Sequence, residues 1–168
     1  YLDSPNGEGS GSSYVIFGKN SGFDAILDIS NLDGSNGFRL NGVAEGDQSG
    51  YSLSTAGDVN GDGFDDIIIG ANYADANGEN SGASYVIFGK ASGFDATVEL
   101  SSLDGNNGFR LEGAVAGDYS GRSVSTAGDF NGDGFADFII GAFGAEPNGQ
   151  DSGSSYLVYG KASGFSAS

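Results

Sequence analysis

The 168-residue sequence contains no cysteine, histidine, methionine or tryptophan, only two prolines, and only 6 basic residues against 23 acidic ones. Each absence closes a class of function. Without Cys or His there are no disulfides, no thiolate nucleophile, no zinc site and no imidazole base for a serine nucleophile. The formal net charge of −17 opposes binding to a nucleic-acid backbone or insertion at an anionic lipid surface. Apolar runs reach only about five residues, against the ~20 a membrane-spanning helix needs, so no segment reads as one. Like charges do not run together, and 38% of residues are hydrophobic, which favours a packed fold over disorder. Charge of this size nonetheless repels itself on compaction, and bound cations would relieve it.

What the chain has in excess is glycine, 32 residues without a collagen period, and internal repetition. Ser13–Ala25 (SYVIFGKNSGFDA) recurs as Ser84–Ala96 and as Ser155–Ala167, each displaced by 71 residues. Residues 1–71 and 72–142 align without gaps at 47 identical positions of 71, and 143–168 begin a third copy. Within one period, Tyr51–Ala56 alternates with period 2, while Asp66–Ala71 and Ser84–Gly89 are short continuous apolar runs. Such runs mark strands covered on both faces. Gly108–Gly113 (GFRLEG) is a fourth, weaker strand, and 94–108 reads equally as an extra strand or a short helical turn.

Four strands per repeat with both sheet faces covered meets the requirement of a β-propeller blade. A stacked β-helix is the alternative, but its rungs follow much shorter units, and the propeller is favoured. The expected fold is therefore all-β, with four-stranded antiparallel blades in an incomplete ring of about two and a third repeats. The expected divisions are 1–48 as a partial blade, 49–119 as a complete one, and 120–168 as a partial blade lacking its last strand. About nine strands cannot close a propeller of four to eight blades. The expectation is that the chain is a piece of a longer protein or completes itself with further copies.

The chemistry concentrates in AGDVNGDGFDDIIIGA (Ala56–Ala71) and its copy AGDFNGDGFADFIIGA (Ala127–Ala142). Oxygen donors fall at positions 1, 3, 5 and 9: Asp58, Asn60, Asp62 and Asp66, then Asp129, Asn131, Asp133 and Asp137. A glycine at position 6 allows the chain to reverse, and Phe64 or Phe135 at position 7 offers a backbone carbonyl. This is the ligand order of a calcium loop built from hard oxygen donors. It is not an EF-hand, since position 12 is Ile69 or Ile140 rather than a bidentate Glu, and the flanks read as strands rather than helices. Two Ca²⁺ ions, one per loop, would bring the formal charge from −17 to −13. An ordinary Asx turn needs only one Asp or Asn. Loops of extracellular modules bind calcium at about 10⁻⁴–10⁻³ M, which directs the expectation to an extracellular or cell-surface setting.

These loops, with the trailing Ile-Ile-Gly-Ala and the preceding GDQSGYSLSTAG and GDYSGRSVSTAG, resemble FG-GAP repeats, the blades of integrin α-subunits and of bacterial surface proteins. The sequence departs from the motif where Ser49 and Ser120 replace its Phe, and where Asn72 and Phe143 replace its Pro. The resemblance implies a propeller with calcium loops on one face, acting in adhesion or as a surface scaffold and not as an enzyme. Implied partners are other blades or further copies of the chain, and a protein or glycan ligand. A self-assembling fibre or ring subunit, and the non-catalytic part of a secreted polysaccharide-acting enzyme, are the alternatives. Of the remaining residues, Lys19, Lys90 and Lys161 read as solvated turn residues, and Arg39 and Arg110 as partners of nearby acids. Asp47 and Asp118 read as turn-forming acids, and Tyr14, Phe17, Tyr85, Phe88, Tyr156 and Tyr159 as core.

Overall fold

The computed structural model of the chain describes residues 3–150 and 152–166; Ala167, which ends the third copy of the aromatic repeat, lies outside them. Ten strands follow in order: β1 (Ser12–Ile16), β2 (Gly37–Asn41), β3 (Ser52–Gly57), β4 (Asp66–Ala71), β5 (Ala83–Ile87), β6 (Thr97–Glu99), β7 (Gly108–Glu112), β8 (Ser123–Gly128), β9 (Asp137–Ala142) and β10 (Ser154–Val158). Among the described residues there is no α-helix, and no helix is long and apolar enough to cross a membrane. The strands form three sheets ordered β1-β2-β6, β3-β4-β5-β7 and β8-β9-β10. This is the all-β arrangement of incomplete propeller blades. The middle sheet is a full four-stranded antiparallel blade.

The apolar runs become strands with both faces covered, as their lack of alternation requires. On β4, Ile69 and Ala71 face the first sheet with Tyr85, Ile87, Phe38 and Leu40. Ile68 faces the third sheet with Val86, Phe109, Phe138 and Ile140. Burying such a side chain contributes roughly 1.5–3 kcal/mol, so both sheet–sheet layers are strong.

Residues 94–108 hold both structures the sequence left open: β6, then a single 3₁₀ turn at Leu100–Ser102. β6 leaves its own blade and pairs in parallel with β2 of the preceding sheet, Arg39↔Thr97 through Asn41↔Glu99. It is the one strand beyond the expected nine, and it makes the first sheet mixed and not antiparallel throughout. Phe94 leads it in, stacked on Phe38 with ring centroids 4.2 Å apart.

Of the aromatic residues expected in the core, Tyr85 and Phe88 are buried, while Tyr14 and Phe17 are half-buried. Tyr156 and Tyr159 are corrections: they are 43% and 51% exposed. Among the described residues β10 pairs with β9 alone, so nothing supplies the cover that β7 gives the equivalent Tyr85.

Repeat-equivalent positions thus sit in unequal surroundings, which makes a clean comparison. Ile68→Ala, at a fully buried position, should cost about 2–5 kcal/mol. Ile139→Ala, its equivalent at 38% exposure, should cost about 1 kcal/mol or less. Urea unfolding of the two variants checks this, and equal losses would refute the assignment of the buried layer.

Candidate metal loops and the opposite face

Each acidic loop joins the first two strands of a blade, and its entry is set by a β-bulge. The β3–β4 register shifts between Thr55 and Gly57, and β8–β9 shifts between Thr126 and Gly128. Gly57 and Gly128 take the left-handed backbone that the bulge needs, with φ of +75° and +67°. Thr55 Oγ1 accepts from the Gly57 amide and Thr126 Oγ1 from that of Gly128, fixing both bulges.

Inside the first loop every predicted side-chain oxygen ligand is engaged by an N–H group. Asp58 Oδ1 accepts from the amides of Gly61 (2.7 Å) and Asp62 (3.0 Å), and its Oδ2 accepts from Gly63 (2.9 Å). Asn60 Oδ1 accepts from the Asp62 amide, and Asn60 Nδ2 donates to Asp62 Oδ2. Asp62 Oδ1 accepts from the Phe64 amide. Asp66 is fully buried: Oδ2 accepts from Val59 (2.9 Å) and Oδ1 from Gly89 (2.8 Å).

The second loop repeats the pattern. Asp129 takes the amides of Gly132, Asp133 and Gly134; Asn131 takes that of Asp133 and donates to the Asp133 carboxylate. Asp133 takes the Phe135 amide, and Asp137 takes those of Phe130 and Gly160. Among the described residues no group of three or more Asp, Glu, His or Cys side chains is gathered to hold a metal ion as it stands. As it stands, each loop is held by its own amides. The turn amides hold two acids of each loop, and the third is turned into the blade.

The donor set nonetheless suits a hard cation. It consists of oxygen atoms only, and every carboxylate oxygen except Asp58 Oδ1 and Asp129 Oδ1, which each accept twice, keeps a lone pair beyond the one its N–H partner uses. The electrostatics point the same way. Burial, opposed by the Gly89 and Val59 amides but reinforced by the charges of Asp62 and Asp58, pushes the Asp66 carboxyl up to about 6. A buried anion beside two further anions is the situation that a divalent ion relieves.

The first loop is also a joint between blades. Its backbone carbonyls at Asp58 and Val59 accept from the amides of Ala136 and Lys161, both at 2.9 Å, in the next repeat. Gly61, at φ +75°, lies so close to the Phe135 ring that a Cβ there would sit 2.4 Å from it. Val59 is consequently buried, whereas its equivalent Phe130 is 69% exposed.

The other motifs resolve simply. Asp47 and Asp118 are the expected turn acids, accepting from the amides of Ala44 and Val115 at 3.1 Å. Arg110 pairs with Glu112. Lys19, Lys90 and Lys161 are exposed, and each lies over the ring four residues on: Phe23, Phe94 and Phe165.

At the opposite end of the strands lies a cluster that spacing did not reveal. Tyr119 stacks on Phe143 (5.1 Å) and meets Tyr73 edge-on (5.6 Å). The Arg122 guanidinium lies 4.4 Å from the centre of the Tyr51 ring and 5.5 Å from that of Phe143. Beside it opens a cleft of about 580 Å³ lined in part by Val115, Asp118, Tyr119, Phe143, Glu146 and Tyr156. A signal was present in the sequence: the two copies diverge here, with Gln48, Tyr51 and Asn72 against Tyr119, Arg122 and Phe143.

The family model described as FG-GAP repeat matches residues 49–87 and 120–158, two stretches offset by the 71-residue period. Integrin alpha-PS2 of Drosophila melanogaster is 33% identical over 135 residues, covering 77% of this chain and 9% of that protein. Mouse integrin alpha-2 is 35% identical over 95 residues (56% and 8%), and Xenopus laevis integrin alpha-5 is 33% identical over 108 residues (64% and 10%). The chain thus spans no more than a tenth of the length of these relatives.

The raised Asp66 carboxyl makes a signed prediction for the protein in chelator. The folded state holds this proton up to about pH 6 and the unfolded state only to about 3.8. Its contribution is therefore fully present below about pH 4 and is lost as pH rises through 6, to the extent of about 3 kcal/mol. Asp66→Asn should lose that pH dependence, while costing about 1–3 kcal/mol for the N–H group left facing its amide. Urea midpoints of both proteins between pH 3.5 and 7 test this; parallel profiles would disprove it.

Proposed function

The chain is an FG-GAP repeat protein, and we propose that it serves as a calcium-stabilised extracellular β-propeller module, an adhesion or surface-structural scaffold and not a catalyst. The observation that carries this reading is the buried Asp66 carboxylate beside Asp58 and Asp62, in a loop whose carbonyls also bind the next blade. Asp58, Asn60, Asp62, the Phe64 carbonyl and Asp66 would hold one Ca²⁺ ion. Asp129, Asn131, Asp133, the Phe135 carbonyl and Asp137 would hold a second. A bound ion supplies positive charge to a cluster of anions. The chain's own part is to fix the loop through its turn amides, to keep Asp66 and Asp137 dry, and to pass the loop's order to the neighbouring blade. On this reading the divisions are a partial blade at 1–48, a complete one at 49–119 and a partial one at 120–168.

Fixed loops at one end of the blades leave the other end to present a surface. The Tyr73–Tyr119–Phe143 cluster, Arg122 and the adjoining cleft form the contact region for a protein or glycan ligand. Large rigid aromatic side chains and arginine are the residues that dominate binding surfaces. Integrin alpha relatives support an interaction role, and the aromatic cluster is one of the places where this chain differs between its own repeats.

Calcium should raise the melting temperature well above its value in EDTA, and more than magnesium does. Asp62→Ala and Asp133→Ala should each remove part of that gain. A melting curve unmoved by chelation would overturn the calcium reading. For the opposite face, Tyr119→Ala and Phe143→Ala should abolish binding in glycan-array and matrix-protein panels while leaving the calcium-dependent melting shift intact. Binding that survives both substitutions would place the contact region elsewhere.

A further inference from the structure

Asparagine followed by glycine is the peptide most prone to spontaneous breakdown, because glycine has no Cβ to keep its nitrogen away from the asparagine side chain. The chain holds eight such pairs, beginning at Asn6, Asn36, Asn41, Asn60, Asn77, Asn107, Asn131 and Asn148. Three atoms decide whether a pair reacts: the glycine nitrogen that attacks, the side-chain oxygen that takes up charge, and the Nδ2 that leaves. In the first acidic loop all three are held. The Gly61 amide donates to Asp58 Oδ1 at 2.7 Å, Asn60 Oδ1 accepts from the Asp62 amide at 2.9 Å, and Asn60 Nδ2 donates to Asp62 Oδ2 at 2.9 Å. Asn131 and Gly132 are held in the same way by Asp129 and Asp133.

Elsewhere the hold is of a different kind. Asn41 is buried, its Nδ2 donates to Glu99, and the Gly42 amide donates to the Gly11 carbonyl, so only parting the first sheet releases it. Asn36 and Asn107 are tied at both side-chain atoms to backbone groups of the turns before β2 and β7. At Asn60 the hold comes from just two residues, Asp58 and Asp62, of a surface turn in which residues 61–65 are exposed. Opening such a turn locally costs far less than unfolding the whole. Asn60 also stands where a change is felt. Gly61 lies against the Phe135 ring of the next repeat, whereas a Cβ at Gly132 would meet nothing within 4 Å.

We propose that the Asn60–Gly61 peptide is a modification site, kept inert by Asp58 and Asp62 and converted to aspartate or iso-aspartate whenever the loop opens. The Gly61 nitrogen, giving its proton to water, bonds to Asn60 Cγ, and Nδ2 leaves as ammonia, which closes a five-membered succinimide. One water then opens the ring. Cleavage at Cγ gives an aspartate; cleavage at the backbone carbonyl gives an iso-aspartate, whose backbone is one methylene longer. The net change is one water taken up and one ammonia released. Neither product restores the hold. Both lack the Nδ2 donor and set a new carboxylate beside Asp62 Oδ2, and the extra methylene moves Gly61 from its fit against Phe135. The loop is then open for good, and the joint to the next blade loosens with it. No metal ion enters this step, so its failure would leave the calcium reading standing.

The test follows each Asn-Gly pair of the whole chain by peptide mapping and mass spectrometry. Incubation is in mildly alkaline buffer with EDTA, below the melting midpoint, with a free peptide of residues 56–67 as reference. Asn60 should react at least about tenfold more slowly in the folded chain than in the peptide. Asp62→Ala should speed it several-fold while Asn41, in the same digest, stays slow. The converted chain, separated by its added negative charge, should melt lower than the intact one. Asn60 reacting at the peptide's rate in the folded chain, or staying slow alongside Asn41 in Asp62→Ala, would overturn the proposal. Should Asp62→Ala unfold the chain, Asn41 accelerates too, and the unsubstituted protein decides. In urea below the midpoint, conversion of Asn60 should rise less steeply than that of Asn41. Parallel rises would mean that only global unfolding exposes the pair, and would refute an opening at the loop.

Discussion

The order of the middle blade hangs on one buried carboxylate. Asp66 stands at the first position of β4 and receives an amide from the start of the acidic loop, at Val59, and one from the exit of β5, at Gly89. Three segments well separated in sequence meet on two oxygens of one side chain. Charge-assisted hydrogen bonds of this kind are roughly twice as strong as neutral ones, and removing the acceptor would orphan two N–H groups. Asp137 makes the same bridge between Phe130 and Gly160. The blade thereby obtains rigid geometry at the cost of a buried negative charge, which is why the acids sit immediately before an isoleucine-rich strand.

From that bridge the order spreads outward. The loop it anchors offers the Asp58 and Val59 carbonyls to the following repeat, and the same loop places Val59 in the layer with Ile68, Phe138 and Ile140. Electrostatics at the loop and apolar burial between blades are therefore one coupled system. Where the following repeat is present the coupling is complete; at Phe130, the corresponding surface is open. Stability in such an array is a sum of unit terms and nearest-neighbour terms.

Much of this was legible in the residues. The 71-residue offset and the uninterrupted apolar runs gave the blades, because a strand buried on both faces cannot alternate. The spacing of Asp58, Asn60, Asp62 and Asp66 located the loops, but not the orientation of Asp66, whose partner Gly89 lies 23 residues away. Long-range amide bridging leaves no local pattern. Nor could spacing tell that β6 would desert its own blade: three residues, Thr97–Glu99, are too few to carry a periodic signal, and their pairing depends on where Phe94 finds a socket. Tyr156 and Tyr159 looked like core because their equivalents are. Their exposure follows from the lack, among the described residues, of a second strand beside β10, which is a property of context and not of sequence.

The excursion of β6 has a further consequence, for the order in which the sheets can be completed. The first sheet contains residues 12–16 and 37–41, yet its third strand is drawn from 97–99, after β3, β4 and β5 have already passed. During synthesis from the N-terminus, the first sheet would wait unfinished until most of the second had emerged. The first sheet is in this sense shingled onto the second: it is latched by chain that belongs to its successor, so a cut between Asn41 and Thr97 would strip a strand from it. Such long-range closure slows folding relative to local hairpins, and it makes the overlapping pair of sheets, not the single repeat, the smallest piece that can fold to completion.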